Sequence, residues 1–127
     1  MRLAIINDYQ RLALEAADWE RLPNDIVVEV CHDQLTDPKE AARRLLPFDI
    51  VVTAREETTF DRALVERLPN LKLLVFHGAR NAALDLGALA EKGVTVCGTG
   101  YGYTNGTVEL AWGLILGLVK NLIAEDQ

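Results

Sequence analysis

The chain has 127 residues, of which 50% are hydrophobic and 25% charged, and its formal net charge is −6. This length suffices for one domain with a hydrophobic core but not for two full domains. The acidic balance and the scattered basic residues argue against nucleic acid as a partner, because nucleic-acid binding needs clustered Lys and Arg. No apolar run approaches the roughly 18 residues of a membrane span, and the N-terminus becomes polar too soon for a signal peptide. We therefore expect a cytoplasmic protein whose two cysteines, Cys31 and Cys97, are buried reduced thiols.

Short apolar runs alternate with segments of helical spacing along the chain. The apolar runs predict strands at Leu3–Asn7, Asp25–His32, Asp49–Ala54, Leu71–Gly78 and Val94–Gly98. The segments between them predict helices at Tyr9–Leu22, Asp37–Leu46, Thr59–Asn70 and Leu84–Gly93. The second helix begins with a clear signal, since Asp37 is a typical N-cap and Pro38 follows at the first helical position.

This β-α alternation predicts the fold class. Near-continuous apolar strands indicate burial on both faces of a sheet, and right-handed crossovers then require parallel strands with helices on both sides. We expect an α/β, flavodoxin-like three-layer sandwich with a five-stranded parallel sheet in the order 2-1-3-4-5 and one further C-terminal crossover helix. Ligands of such sheets bind beyond the carboxyl ends of the strands. Residues placed there are Asn7, Asp8, Cys31, His32, Asp33, Ala54, Arg55, Glu56, the segment 77–81 and the loop 98–107.

The glycine-rich loop after the fifth strand does not fit the pattern of a phosphate-binding loop. Starting from Gly98 and Gly100, the third glycine of G-x-G-x-x-G would stand at Tyr103. Starting from Gly100 and Gly102, it would stand at Asn105. The loop also follows the last strand rather than the first, and no further strand follows with an acidic residue for a ribose. A turn between a strand and a helix is the favoured interpretation.

The segment after this loop predicts a helix that is apolar around most of its circumference. Such a helix must be buried on several sides, whereas the sheet can cover only one. The missing cover is a second domain, another subunit, or both. The apolar residues are Val108, Leu110, Ala111, Trp112, Leu114, Ile115, Leu116, Leu118, Val119, Leu122 and Ile123.

The run from Asp49 to Leu118 resembles the N-terminal part of the D-isomer-specific 2-hydroxyacid dehydrogenases, the family of phosphoglycerate, glycerate and formate dehydrogenases. The matching features come in order: Arg55 after the third strand, "LPNLKLL" before the fourth, a glycine-containing turn followed by "LDL", then "GVTV" and a "TVEL" helix start. The resemblance extends over essentially the whole chain. No single feature is specific, but the ordered series is.

The resemblance implies a two-domain parent enzyme that transfers a hydride between NAD or NADP and a 2-hydroxy or 2-keto acid. Residues 1–99 correspond to the flavodoxin-like substrate domain. Residues 100–127 correspond to the hinge loop and to the helix, 107–123, that leads to the NAD-binding domain and contributes to a homodimer. The family's catalytic Arg, Glu and His lie in the missing part, so we assign no catalytic residue and no metal, and we expect this fragment alone to be inactive and to bind no cofactor.

The resemblance also implies binding residues. Arg55 matches a basic residue at the substrate mouth, and Gly78, Ala79 and Arg80 match a turn whose amides face the substrate carboxylate. Ala79 matches a cofactor contact as well, together with Thr107 and Val108 near the nicotinamide. From the residues alone other interpretations stay open. Arg55 can be a surface cation paired with Glu56 or Glu57, Gly78 can simply end a strand, and Thr107 can simply cap its helix.

Arg80 departs from the family turn, in which a glycine is usual at that position. Its guanidinium predicts a preference for an acid that carries a second negative charge. The two histidines, His32 and His77, follow strands and could touch a ligand, but satisfied or half-exposed histidines are the favoured interpretation.

Two other functions stay open at this stage. A standalone, non-catalytic binding or regulatory module on the same fold is the alternative to the dehydrogenase fragment. A receiver-type signalling domain is the least favoured, since Asp8 is a single acid after the first strand, strand three ends without Asp and strand five without Lys. Neither the particular hydroxy acid nor the choice between NAD and NADP follows from the sequence.

Overall fold

The computed structural model describes residues 1–54, 56–100 and 105–121. Its centre is a five-stranded, fully parallel sheet with the order β2-β1-β3-β4-β5, as predicted. The pairing is continuous across the sheet: Val28, Leu3, Ile50, Leu73 and Thr95 form one row. The strands are β1 (Arg2–Ile6), β2 (Val27–Val30), β3 (Ile50–Thr53), β4 (Leu73–Phe76) and β5 (Thr95–Gly98).

Aspartates begin three of the four α-helices that the described ranges contain. The carboxylate of Asp37 accepts a hydrogen bond from the amide of Glu40 at 3.0 Å, which confirms the predicted N-cap. Asp61 and Asp85 do the same for the amides three residues on, each at 2.8 Å. The α-helices are α1 (Pro38–Leu45), α2 (Arg62–Glu66), α3 (Leu86–Glu91) and α4 (Gly106–Val119).

The predicted helix over Tyr9–Leu22 is wrong. This connection consists of turns with one short 3-10 helix, Trp19–Arg21. Asp8 Oδ1 accepts hydrogen bonds from two successive amides, those of Leu12 and Ala13, at 3.0 and 3.3 Å. Arg11 has a φ of 58°, in the left-handed region, which interrupts any right-handed helix through this position. The helical spacing of apolar residues here reflects packing on the sheet rather than a helix.

The main core lies on one face of the sheet, between the strands and helices α1 to α3. Ala4, Ile6, Val51 and Leu74 contribute to it from the strands and are each completely buried. Helices α1, α2 and α3 each contribute buried residues to the same cluster. Burial of one leucine or isoleucine side chain contributes roughly 1.5–3 kcal/mol, so this face holds the domain together.

The other face is covered only in part. The segment between β1 and β2 packs Trp19 and neighbouring apolar residues against Leu3, Ile5 and Ile50. Towards β5 the residues on this face become more exposed. Cys97 on β5 is exposed, and Cys31, directly after β2, is half-buried. The expectation that both thiols are buried is therefore wrong. Cys97 lies on the uncovered part of this face, and Cys31, directly after the edge strand β2, packs only partly against the main core on the opposite face.

Helix α4 has no buried residue, although most of its side chains are apolar. The least exposed of its large apolar side chains, Ile115, is still 49% exposed, and Leu118 is 82% exposed. The helix ends at Val119, earlier than the predicted Ile123, and Asn121 has a left-handed φ of 52°; residues 122–127 lie outside the described part of the chain. Within the described ranges no helix combines the length and apolarity needed to cross a membrane.

Candidate functional site

A buried polar cluster fixes the loops at the carboxyl edge of the sheet. Asn7, directly after β1, has a left-handed φ of 63°, which asparagine tolerates better than most residues. Its side-chain amide donates to Thr58 Oγ1 at 3.0 Å and its Oδ1 accepts from the amide of Leu35 at 3.0 Å. Thr58 Oγ1 donates to the carbonyl of Leu35 at 2.8 Å. The three groups satisfy one another inside the protein, and they tie the loop after β3 to the loops after β1 and β2.

The turn after β4 is the part of this edge for which the family resemblance implies a substrate carboxylate site. Gly78 has a φ of 102°, which favours glycine. Its amide donates to Thr99 Oγ1 at 2.8 Å, so this N–H is not free for a ligand. The amides of Ala79 and Arg80 donate to no other residue in the described ranges. Of the three amides in the predicted carboxylate site, Gly78's is therefore already engaged, and those of Ala79 and Arg80 are available to a ligand.

Two side chains hold the far end of the same turn. Asn81 Oδ1 accepts from the amide of Ala83 at 2.9 Å, and Glu56 Oε1 accepts from the amide of Ala82 at 3.2 Å. Glu56 thus links the loop after β3 to the turn after β4. Between these two ends, the amides of Ala79, Arg80 and Asn81 donate to no other group of the described residues.

Strand β5 approaches the turn so closely that only glycine fits at its end. A Cβ placed on Gly98 would lie 2.6 Å from the carbonyl oxygen of Gly78 and 2.8 Å from Phe76 Cζ. Gly100 also donates to the carbonyl of Gly78, at 3.2 Å. The first residues of the glycine-rich loop therefore support the turn, which is a structural reason for glycine independent of any phosphate.

Charged residues near this edge are mostly engaged with one another. Arg44 donates to both carboxylate oxygens of Asp33, and this contact lowers the pKa of Asp33. His32 Nδ1 lies 3.0 Å from the carbonyl oxygen of Asp8, so Nδ1 must carry a proton, because a carbonyl only accepts. In the described residues no group of three His, Cys, Asp or Glu side chains could hold a metal ion.

Comparison with known families accounts for this arrangement. The model of the "D-isomer specific 2-hydroxyacid dehydrogenase, catalytic domain" family matches residues 4–115. The chain belongs to this family. A comparison with curated proteins gave no significant match.

Solved structures of family members share the fold. Phosphoglycerate oxidoreductase from Vibrio cholerae o395 is 31% identical, with a TM-score of 0.78 over 98% of this chain and 41% of that one. A protein named as a D-3-phosphoglycerate dehydrogenase from Ralstonia solanacearum is also 31% identical, with a TM-score of 0.75 over 91% of this chain and 34% of that one. D-lactate dehydrogenase from Escherichia coli, 20% identical, shows the same fold with a TM-score of 0.75 over 100% of this chain and 40% of that one. The chain therefore spans about two fifths or less of the length of these relatives.

The structure brings some of the residues implied by the family together and leaves others apart. Ala79 is half-buried and Arg80 exposed, and both line a cavity of about 350 Å³ beside the turn. Thr107 and Val108 are exposed on α4. Asn105 occupies the N-cap position of that helix, so the alternative interpretation of Thr107 as the cap is wrong. Arg55 lies outside the described residues.

Sequence reasoning missed Thr99 and Glu56 as supports of the turn. Thr99 stands 21 residues after Gly78 and Glu56 stands 26 residues before Ala82. Contacts over such separations depend on the order of the strands. Once the order β3-β4-β5 is known, a hydroxyl directly after β5 and a carboxylate after β3 are the signals that point to the turn between them.

Proposed function

We propose that this chain is the substrate-binding portion of an NAD(P)-dependent D-2-hydroxyacid dehydrogenase. One observation carries the proposal: a turn with two amides unpaired among the described residues lies at the carboxyl edge of a family fold whose α4 exposes apolar side chains on every side. In the single chain, the apolar side chains of α4 are exposed to water. Exposed apolar surface of this extent is typical of an interface, so we infer that a second domain or subunit covers α4.

The proposed organisation has two parts. Residues 1–99 form the substrate-binding body, and residues 100–127 form a hinge followed by a helix that packs against a nucleotide-binding domain and against a second copy of the chain. Two free cysteines, of which Cys97 is exposed, support a reducing compartment such as the cytoplasm.

The residues of this chain do not by themselves fit a dinucleotide. The chain has no G-x-G-x-x-G at a strand–helix junction, and Thr107 and Val108 are exposed with no described side chains around them that would hold a nicotinamide ring. When supplied by another domain, the nicotinamide cofactor accepts or donates the hydride at the hydroxyl-bearing carbon. The contribution of this chain is to bind and orient the acid, so we expect the fragment alone to have no dehydrogenase activity.

The proposed contacts with the acid follow from the geometry of the turn. The amides of Ala79 and Arg80 donate to the substrate carboxylate, as converging backbone amides do for anions. The guanidinium of Arg80 adds a positive charge beside them. A second anionic group on the acid would be attracted to Arg80, which is the preference predicted from the sequence.

Titration of the chain with acids, followed by amide NMR signals, tests the proposal. We expect lactate and phosphoglycerate to shift the amides of Ala79 and Arg80 in a saturable manner, whereas NADH shifts no signal at sub-millimolar concentration. The substitution Arg80→Ala should weaken phosphoglycerate about 10-fold and lactate much less, since a charged hydrogen bond contributes roughly 1.5–3 kcal/mol.

Two outcomes would count against these assignments. Equal weakening of both acids by Arg80→Ala would remove the preference for a second charge. The absence of any shift at Ala79 and Arg80 with either acid would contradict the proposed function itself.

A further inference from the structure

A second cavity opens on the other side of the β4 end from Arg80. It has a volume of about 490 Å³ and lies between the sheet edge and the β1–β2 connection. The lining residues come from β1 and its end, from the loops after β3 and β4, and from the connection: Ile5, Asn7, Asp8, Gln10, Leu12, Ala13, Ala16, Ala54 and His77. His77 directly precedes Gly78, so the cavity begins next to the turn.

The walls of this cavity are largely apolar. Ile5 forms part of the floor and is 3% exposed, while Leu12 is 53% exposed at the open side. Covering an exposed leucine beside a concave surface with a ligand is favourable, because apolar area is removed from water. The volume of the cavity is larger than the carboxyl and hydroxyl groups of a small acid, so a carbon chain also fits in it.

The titratable side chains that line the cavity are the carboxyl group of Asp8 and the imidazole of His77. Asp8 is 9% exposed, and its Oδ1 accepts the amides of Leu12 and Ala13, which positions the apolar wall. Its Oδ2 is buried without a hydrogen bond in the described residues and lies 3.5 Å from His32 Nδ1. A carboxylate of low solvent access repels a nearby anion more strongly than one in bulk water does. The cavity therefore accepts an uncharged group and disfavours a phosphate.

The turn thus separates two cavities of different charge. Arg80 lines the smaller one together with Phe76, Ala79 and Leu84, and Asp8 lines the larger one. An acid held at the Ala79 and Arg80 amides can direct its remaining atoms to either side. The charge of those atoms decides which side is favourable.

We propose that the Asp8 cavity receives the uncharged carbon chain of a 2-hydroxy acid whose carboxylate lies on the amides of Ala79 and Arg80. This inference rests on the proposed function and adds a substrate class to it: acids with an aliphatic side chain of several carbons. Asp8 acts as a positioning residue, because it holds Leu12 and Ala13 in place and excludes a second negative charge.

The test compares three acids on the 127-residue chain by amide NMR: lactate, 2-hydroxyisocaproate and phosphoglycerate. We expect 2-hydroxyisocaproate alone to shift the amides of Leu12, Ala13 and Ala54 in addition to those of the turn. Ala16→Trp fills the cavity from an exposed position and should weaken 2-hydroxyisocaproate at least ~10-fold, because it displaces several buried carbons, while lactate changes less than ~2-fold. The matched control is Ala17→Trp, which places the same ring outside the cavity lining and should change neither affinity.

A second variant, Leu12→Asp, keeps the test decisive if Ala16→Trp folds poorly, and it should weaken 2-hydroxyisocaproate in the same way. If all three acids shift the turn but none shifts Leu12, Ala13 or Ala54, and Leu12→Asp has no effect, the inference is overturned while the proposed function stands. If no acid shifts the turn, the proposed function falls as well. Shifts of the cavity amides by phosphoglycerate equal to those by 2-hydroxyisocaproate would contradict the charge selection.

Discussion

The substitution Gly98→Ala is expected to lower the free energy of unfolding by about 2 kcal/mol, as overpacking typically does, and to abolish saturable acid binding at the turn. The new methyl group would stand 2.6 Å from the Gly78 carbonyl oxygen, which is backbone and cannot rotate away. Either the end of β5 or the turn must move, and both movements disturb the hydrogen bonds that join Gly78 to Thr99 and Gly100. Chemical denaturation gives the change in stability, and NMR titration with lactate gives the change in binding.

The control for this prediction is Gly93→Ala. Unlike Gly98, Gly93 has a positive φ, 74°, but a Cβ there would meet nothing within 4 Å. This variant should lose about 1 kcal/mol from the left-handed backbone alone and keep acid binding. If Gly98→Ala bound lactate as well as Gly93→Ala does, the support of the turn by β5 would be refuted.

The triple substitution of Leu110, Leu114 and Leu118 by lysine is expected to convert a self-associating chain into a monomer. These residues recur every four positions and form one stripe of α4, and each is at least 59% exposed in the single chain. Each leucine that becomes buried in a dimer contributes roughly 1.5–3 kcal/mol, so its loss from both copies should weaken association at least ~100-fold. Light scattering should give twice 14.1 kDa for the unmodified chain and 14.1 kDa for the variant.

The melting temperature of the domain should stay the same in this variant, because no residue of α4 is buried in the single chain. The matched control replaces Leu14 and Leu46, which are 57% and 47% exposed on the body of the domain, by lysine. That control should leave self-association intact. A monomeric unmodified chain, or a large loss of stability in the triple variant, would contradict the role of α4 as an interface.

The strand order was predictable because each strand is a compact apolar run bounded by helix signals. The runs at Ile50–Thr53 and Leu73–Phe76, with Asp61 starting the helix between them, leave little choice of topology once the crossovers are right-handed. The structure of the connection from Tyr9 to Leu22 was not predictable from the spacing of its apolar residues alone. Apolar residues spaced for a helix also suit an irregular segment lying on a sheet, and the choice was decided by Asp8 and the left-handed Arg11.

For the candidate site, sequence reasoning reached the turn but not its hydrogen-bond partners. Gly78 was identified, whereas the use of its amide by Thr99 depends on the contact between β4 and β5. The large cavity bordered by Asp8 and His77 combines residues 69 positions apart, which only the folded sheet brings together. Local signals therefore specify elements and caps, while the site depends on which strand ends become neighbours.

The most direct test of the account is a chimera in which residues 1–127 replace the matching 41% of Vibrio cholerae phosphoglycerate oxidoreductase. If this chain is the substrate-binding half of a 2-hydroxyacid dehydrogenase, the chimera should consume NADH or NADPH in the presence of a 2-keto acid. The 2-keto acids offered to the chimera should include short, longer aliphatic and phosphorylated ones. A folded chimera that binds the reduced cofactor but converts none of these acids would contradict the account and would favour a standalone binding module on the same fold.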